Sequence, residues 1–237
     1  MLMGTRSSSG VALGAVALLS SLIPVAAQAR EQGVVYASGL VSDDHSASVG
    51  ATIAAPGSRL GEGWAFRVSV NGGDYSYDSG PLNIDADYRG ADVAIVYQWS
   101  GDWGYGNVAL GGRYADTDLS PADPGNRRGG SNWDVALTVD GQRRFGPWAL
   151  TGYASYGFDL EEYYVRADLT RKVSPSVALG VEIGAEGDSG DYSRQVLGAV
   201  ARFESPGRPW AVKLAAGVRD GDDDNSAYGA ITVSRTF

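Results

Sequence analysis

Cysteine is missing from all 237 residues, and histidine occurs once, at His45. The first absence removes disulfides and thiol nucleophiles, and the two together remove most metal sites. A cysteine-free chain is still compatible with passage through an oxidising compartment. Positive charge is scarce as well: 19 Lys and Arg stand against 28 Asp and Glu, a formal net charge of −9. Nucleic acid calls for a basic face and is not expected as a partner. After Arg30 the chain has no long apolar run, so no transmembrane helix is available and an ordinary inner-membrane protein is excluded.

These shortages also weaken enzymatic readings. A serine hydrolase needs His beside Ser and an acid, and Ser42, Ser46 and Ser48 are near His45 only in sequence. His45 reads as a solvated turn histidine. Glu161-Glu162 and the run Asp222-Asp223-Asp224 lack the spacing of a calcium loop and read as hydrated loop tips. No catalytic residue, cofactor or metal is assigned.

What is present points to export and to strands. Arg6, the apolar run Val11–Ala27 and the small-x-small triplet Ala27-Gln28-Ala29 fit a secretory signal peptide over residues 1–29, leaving residues 30–237 as one domain. The 34 Gly, 13 Tyr and 6 Trp suit many strands joined by turns better than helices. Segment after segment has a period of two. Trp133, Val135, Leu137 and Val139 alternate with Asp134, Ala136, Thr138 and Asp140; Val177–Ala185, Trp210–Val218 and Trp64–Val70 repeat the scheme.

Alternation alone does not separate a soluble sandwich from a membrane barrel. Aromatic placement and strand length do. Trp64, Trp99, Trp103, Trp148, Trp210, Phe145 and Phe237 lie beside short turns, as an interfacial girdle requires. The strand-like stretches run to about ten to thirteen residues, long enough to cross a bilayer at a tilt. Short connections near Pro56–Gly63, Gly101–Trp103, Gly146–Pro147, Ser174–Ser176 and Pro206–Pro209 alternate with longer or acidic ones near Asp43–His45, Ser79–Tyr88, Leu119–Gly130, Asp159–Glu162, Gly187–Asp191 and Asp220–Ser226. The expected fold is therefore all-β: a transmembrane antiparallel up-and-down barrel of about twelve strands, ten being the alternative, with both termini periplasmic. The first hairpin, Val34–Val41 with Ser46–Ala55, is its weakest element. Ile231, Val233 and Phe237 form an apolar stripe ending on an aromatic, which resembles the signal read by the barrel-assembly machinery; Arg235 departs from it.

If the apolar face meets outer-membrane lipid, the lumen receives Arg67, Asp92, Arg113, Asp134, Asp140, Arg144, Arg166, Asp168, Lys172, Glu182, Arg194, Arg202, Lys213 and Arg219. Interleaved acids and bases can close a narrow barrel with ion pairs, or line a polar conduit for a solute or saccharide.

One outer loop stands apart. Asp118-Leu-Ser-Pro-Ala-Asp123-Pro-Gly-Asn126, then Arg127-Arg128-Gly-Gly-Ser-Asn-Trp133, concentrates prolines and Asx residues that favour defined turns. With Tyr75-Ser-Tyr77, Tyr163-Tyr-Val-Arg-Ala-Asp168 and the ending Arg235-Thr-Phe237, it resembles the cellulose biosynthesis protein BcsS family. The resemblance implies an outer-membrane accessory of cellulose production, with cellulose or its secretion complex as a partner, and assigns no functional residues. Tyr75, Tyr77, Tyr88, Tyr163 and Tyr164 read as girdle or loop packing, with glycan contact as the alternative.

Overall fold

A computed structural model describes residues 31–189, 192–221 and 225–237. The expected signal peptide, Asp191 and Asp222–Asp224 lie outside the described residues.

Twelve antiparallel strands follow one another around a closed barrel: β1 (Gly33–Val41), β2 (His45–Ala54), β3 (Gly63–Ser79), β4 (Leu82–Gly101), β5 (Gly104–Ser120), β6 (Gly130–Phe145), β7 (Trp148–Gly157), β8 (Tyr163–Ser174), β9 (Val177–Gly187), β10 (Ser193–Glu204), β11 (Trp210–Gly221) and β12 (Asn225–Thr236). The uncertain first hairpin is real, and β1 closes the ring by pairing with β12 from Val34↔Thr236 to Val41↔Gly229. Closure removes the sheet edges, so every spanning strand has hydrogen-bonding partners on both sides.

Why the chain folds with this side out follows from its alternation. Trp133, Val135, Leu137 and Val139 on β6, and Leu179, Val181 and Ile183 on β9, are exposed on the outer wall. Keeping such side chains in water forgoes about 1.5–3 kcal/mol each, which a hydrocarbon phase restores. Trp64, Trp99, Trp103, Trp148 and Phe145 mark one end of this band; Tyr114 and Trp133, with ring centroids 4.9 Å apart, mark the other. At about 3.3 Å per residue and a tilt of about 40°, the stretch Trp133–Phe145 rises about 30 Å, the thickness of a bilayer core.

The termini share the end with the short turns. Phe237 donates its backbone N–H to Gly33 O at 2.9 Å and accepts from Gln32 N at 2.6 Å. Arg235 lies 5.3 Å from the Trp210 ring centroid, so the residue that departs from the apolar stripe has an aromatic face to stack on.

Two expectations need correction. Ser79–Tyr88 is not a loop: β3 and β4 pair as far as Ser79↔Leu82 around Gly80-Pro81, and β4 runs for 20 residues. Its acids masked an intact alternation, because beyond the bilayer the outward face is polar too: Ile84 and Ala86 point inward while Asp85 and Asp87 point out. Conversely, the inner connection between β2 and β3 is long, folded by Ser58 N to Ala55 O at 2.9 Å and by the bridge Arg59↔Glu62. Connections at the end with the termini alternate with those at the opposite end as expected, but length does not identify them.

Candidate functional site

All fourteen charged residues expected in the lumen fall on the inward face of their strands, because each shares the parity of its strand's inward set. They do not form one uniform lining. On the β8–β12 side the charges alternate in two connected strings. Arg202 Nη2 and Lys213 Nζ donate to the two oxygens of Asp168 at 2.7 and 2.9 Å; Lys213 also reaches Glu182 at 2.5 Å, and Tyr228 donates to Glu182 at 2.7 Å. In the second string Arg166 and Arg219 donate to Glu186 at 3.2 and 2.5 Å, and Arg219 and Arg194 meet Asp44, the latter at 2.7 Å. Val196, Val200, Ala215 and Tyr228 fill the space beside them as a small buried cluster.

The β3–β7 side is sparser. Arg67 donates to Asp140 at 2.7 Å across intervening strands, and Asn107 donates to the other Asp140 oxygen at 2.6 Å. Arg113 donates to Asp92 at 3.0 Å, and Asp92 also receives Ser69 and Asn71 at 3.1 Å each. Asp134 accepts the backbone N–H of Asp159 at 2.8 Å, tying the loop after β7 to the wall. Arg144 donates to the Gln142 amide at 2.9 Å rather than to a carboxylate.

Between these walls runs a cavity of about 2010 Å³. Its lining extends from Glu31, Gly101, Gly104 and Thr236 at the end with the termini to Asp78, Asp123 and Ser189 at the other. Asp168, Arg202 and Lys172 do not border it: the first two are covered within their ion-pair string, and Lys172 is exposed at the short-turn end. The remaining lining is dominated by Ser, Thr, Asn and Gly from β1–β6 and by inward tyrosines. Glycine keeps two of these rings flat against the wall. A Cβ at Gly50 would strike the Tyr36 hydroxyl, and one at Gly198 would strike the Tyr228 hydroxyl, so both rings lie over a neighbouring strand instead of crossing the bore.

The outer mouth is formed by folded loops. Asn126 Oδ1 accepts Arg128 N at 2.8 Å, Asp123 Oδ1 accepts Gly125 N at 3.1 Å, and the Tyr77 hydroxyl donates to Asp123 Oδ2 at 3.0 Å while accepting from Asn126 Nδ2 at 2.7 Å. Arg128 reaches Glu162 and Asp188, both at 2.8 Å, and its guanidinium lies 5.0 Å from the Tyr192 ring centroid. Burial lowers this guanidinium's pKa, but Glu162 and Asp188 more than offset it and leave the value above the ordinary one. Arg127 donates to the Asp159 carbonyl at 2.7 Å. Asp118 is not part of this loop. It sits on the outward face of β5 and is exposed.

The rim tyrosines also differ from expectation. Tyr75, Tyr77, Tyr88 and Tyr164 face the cavity and are not a lipid-facing girdle, although Tyr77 packs on the loop through Asp123 and Asn126 as expected; Tyr163 has the outward parity of β8 and only borders the cavity. Periodicity carried through the polar hairpin would have placed the first three. Sequence reasoning also missed Asp44 and Glu186, the acids that hold Arg219, and the inward rings Tyr36, Tyr105, Tyr153 and Tyr192. Glu186 had a signal, since it shares its strand parity with Glu182; Asp44 reaches inward from a loop and had none.

His45 is not in a turn. It opens β2, pairs with Asp74 across the β2–β3 ladder, and its Nδ1 lies 3.2 Å from Asp74 Oδ1. Ser42 is engaged with Ser226 Oγ at 2.8 Å and the Ala227 carbonyl at 3.0 Å.

Residues 34–237 match the family described as cellulose biosynthesis protein BcsS. No curated protein matches the chain. Among solved structures, the β domain of the Bordetella autotransporter BrkA is similar at TM-score 0.55 and 16% identity, covering 87% of this chain and 100% of that one. The KdgM porin is similar at TM-score 0.51 and 9% identity, covering 86% and 99%. The translocator domain of the autotransporter NalP from Neisseria meningitidis is similar at TM-score 0.50 and 14% identity, covering 95% and 93%. At these identities the likeness is one of fold.

Proposed function

The chain belongs to the cellulose biosynthesis protein BcsS family, and from that premise we propose that it is a non-catalytic outer-membrane accessory whose lumen passes neutral saccharides between periplasm and cell surface. The observation that carries this reading is the continuous cavity of about 2010 Å³ reaching both ends of the barrel. Its chemistry supports the solute class. Most lumen cations face a carboxylate within ion-pair distance, so the bore offers an anionic solute little attraction. Hydroxyls, amides and tyrosine rings line the cavity beside these pairs, and those are the groups that hydrogen-bond and stack on sugars.

Residence in the outer membrane is supported by the closed sheet, the apolar outer band and its two aromatic borders. Within this reading the signal peptide is removed after Ala29, the termini face the periplasm, and Ile231, Val233 and Phe237 engage the barrel-assembly machinery. A second reading, a sealed barrel acting as a membrane anchor for the secretion complex, draws on the ion-pair strings along β8–β12. Swelling of liposomes containing the purified barrel separates the two: entry of cello-oligosaccharides is expected, and impermeability overturns the conduit. In cells, loss of the gene is expected to alter cellulose dye retention, and unchanged retention argues against the cellulose role.

A further inference from the structure

We propose that the outer mouth holds a binding station for a neutral pyranose oligosaccharide, built on Tyr77, Tyr75 and Tyr88; this rests on the lumen being a saccharide path. Tyr75 and Tyr77 are successive inward positions of β3, and Tyr88 enters diagonally from β4, opposite Gly73. The ring centroids step 6.1 Å from Tyr77 to Tyr75 and 6.2 Å from Tyr75 to Tyr88, a ladder leading from the hairpin tip into the bore.

The position of this ladder rules out membrane anchoring. It lies beyond the outer border set by Tyr114 and Trp133, so it is not anchoring the barrel in lipid. The two buried apolar clusters lie elsewhere, on β10–β12 and on β3–β5 around Ala65, Val96 and Ala109; beside the ladder Ile84 and Ala86, the cross-strand partners of Tyr77 and Tyr75, are buried, so the rings cover these two and turn their other faces to the bore. All three rings border the cavity. Extending β3 and β4 past the bilayer places aromatic faces there at the cost of ordering a long hairpin.

The polar groups beside the ladder are fixed in advance. Asp123 and Asn126 are held at the Tyr77 hydroxyl by bonds of 3.0 and 2.7 Å. Arg128 lies close enough to Tyr75 to lower that phenol's pKa against the larger raising effect of burial, and is itself fixed by Glu162 and Asp188. The Tyr75 hydroxyl is buried beside that guanidinium, so Tyr75 offers a ligand its ring rather than its hydroxyl. A pyranose ring matches this arrangement: its C–H face stacks on tyrosine while equatorial hydroxyls meet a carboxylate, an amide and a guanidinium. Two acids already neutralise Arg128, so a uronate gains little from it and the neutral sugar is favoured.

The test is calorimetric titration of the full barrel in detergent with cellohexaose, in parallel with trigalacturonate. Cellohexaose is expected to bind and trigalacturonate to bind at least tenfold more weakly. The double variant Tyr75→Ala/Tyr77→Ala is expected to lose at least tenfold in affinity, while Tyr77→Phe, which keeps the ring, stays within about threefold of the parent. Heat-modifiable gel mobility reports that each variant is folded. Binding that survives the alanine pair, or is equal for both sugars, overturns the station. Tyrosine-dependent binding by a barrel that does not swell liposomes upholds the station and rejects the conduit, so the two failures are distinguishable.

Discussion

The two halves of the lumen solve the same problem in opposite ways. On the β8–β12 side, buried charges are linked in strings such as Arg202, Asp168, Lys213 and Glu182, and Val196, Val200 and Tyr228 fill what remains. On the β1–β6 side the wall is thin, lined by Ser38, Ser48, Thr52, Ser69 and Asn71, with glycine where a ring must lie flat. The first half behaves as a protein core made from polar residues, in which each charge needs its partner. The second ties its hydroxyls and amides to one another and to Arg67 and Asp92, and they line the cavity. A barrel with only the first kind of wall is a plug, and one with only the second has little to hold its bore in shape.

The largest expected effect breaks the first half. Asp168→Ala strips both Arg202 and Lys213 of a carboxylate that is almost fully buried, and removing one partner of such a cluster costs about 3–5 kcal/mol. Urea unfolding in liposomes, followed by tryptophan fluorescence, checks it. Ser48→Ala in the other half removes only a hydroxyl pair with Ser38, set at 2.7 Å, and is expected to cost about 1 kcal/mol or less.

Next come the glycines, which sharpen the contrast. Gly198→Val forces the Tyr228 ring out of the packed half and away from Glu182, for a loss of about 1–3 kcal/mol. Gly50→Val pushes Tyr36 into the open half and is expected to lower single-channel conductance more than stability. Equal effects of the two on conductance would deny that the halves differ.

Arg144→Glu replaces a cavity-lining cation with an acid near the short-turn end, and reversal-potential measurements are expected to shift toward cation preference. The smallest effect belongs to the outer hairpin. Hydrogen bonds from Arg89 and Ser131 hold the Asp116 carboxyl below its usual range on an exposed surface. A lowered carboxylate stabilises above its unfolded pKa of about 3.9 and loses that contribution as pH falls through the depressed folded value. Arg89→Ala is therefore expected to melt slightly below the parent by the same margin from about pH 8 to about pH 5, and the gap is expected to close only as pH falls below about 4.

How far the sequence revealed this follows from what periodicity can carry. In β6 the alternation of Trp133, Val135, Leu137 and Val139 with Asp134 and Asp140 settled both the strand and its lipid side, since one slipped residue would invert every side chain. The ion-pair partners were not legible. Arg67 reaches Asp140 over intervening strands, and Arg219 reaches Asp44 from the opposite end of the chain, distances set by barrel curvature. The tyrosine ladder stayed hidden because acids on the outward face made Ser79–Tyr88 look like a loop. Phe237 was legible as a terminal aromatic stripe, whereas the Arg235 stack on Trp210 depended on two strands meeting.

The proposed conduit is tested most directly by single-channel recording of the purified barrel in a planar bilayer. A stable conductance without anion preference in a salt gradient is expected from a bore whose cations are mostly held by acids. A membrane that stays sealed, or a conductance strongly selective for anions, would contradict it.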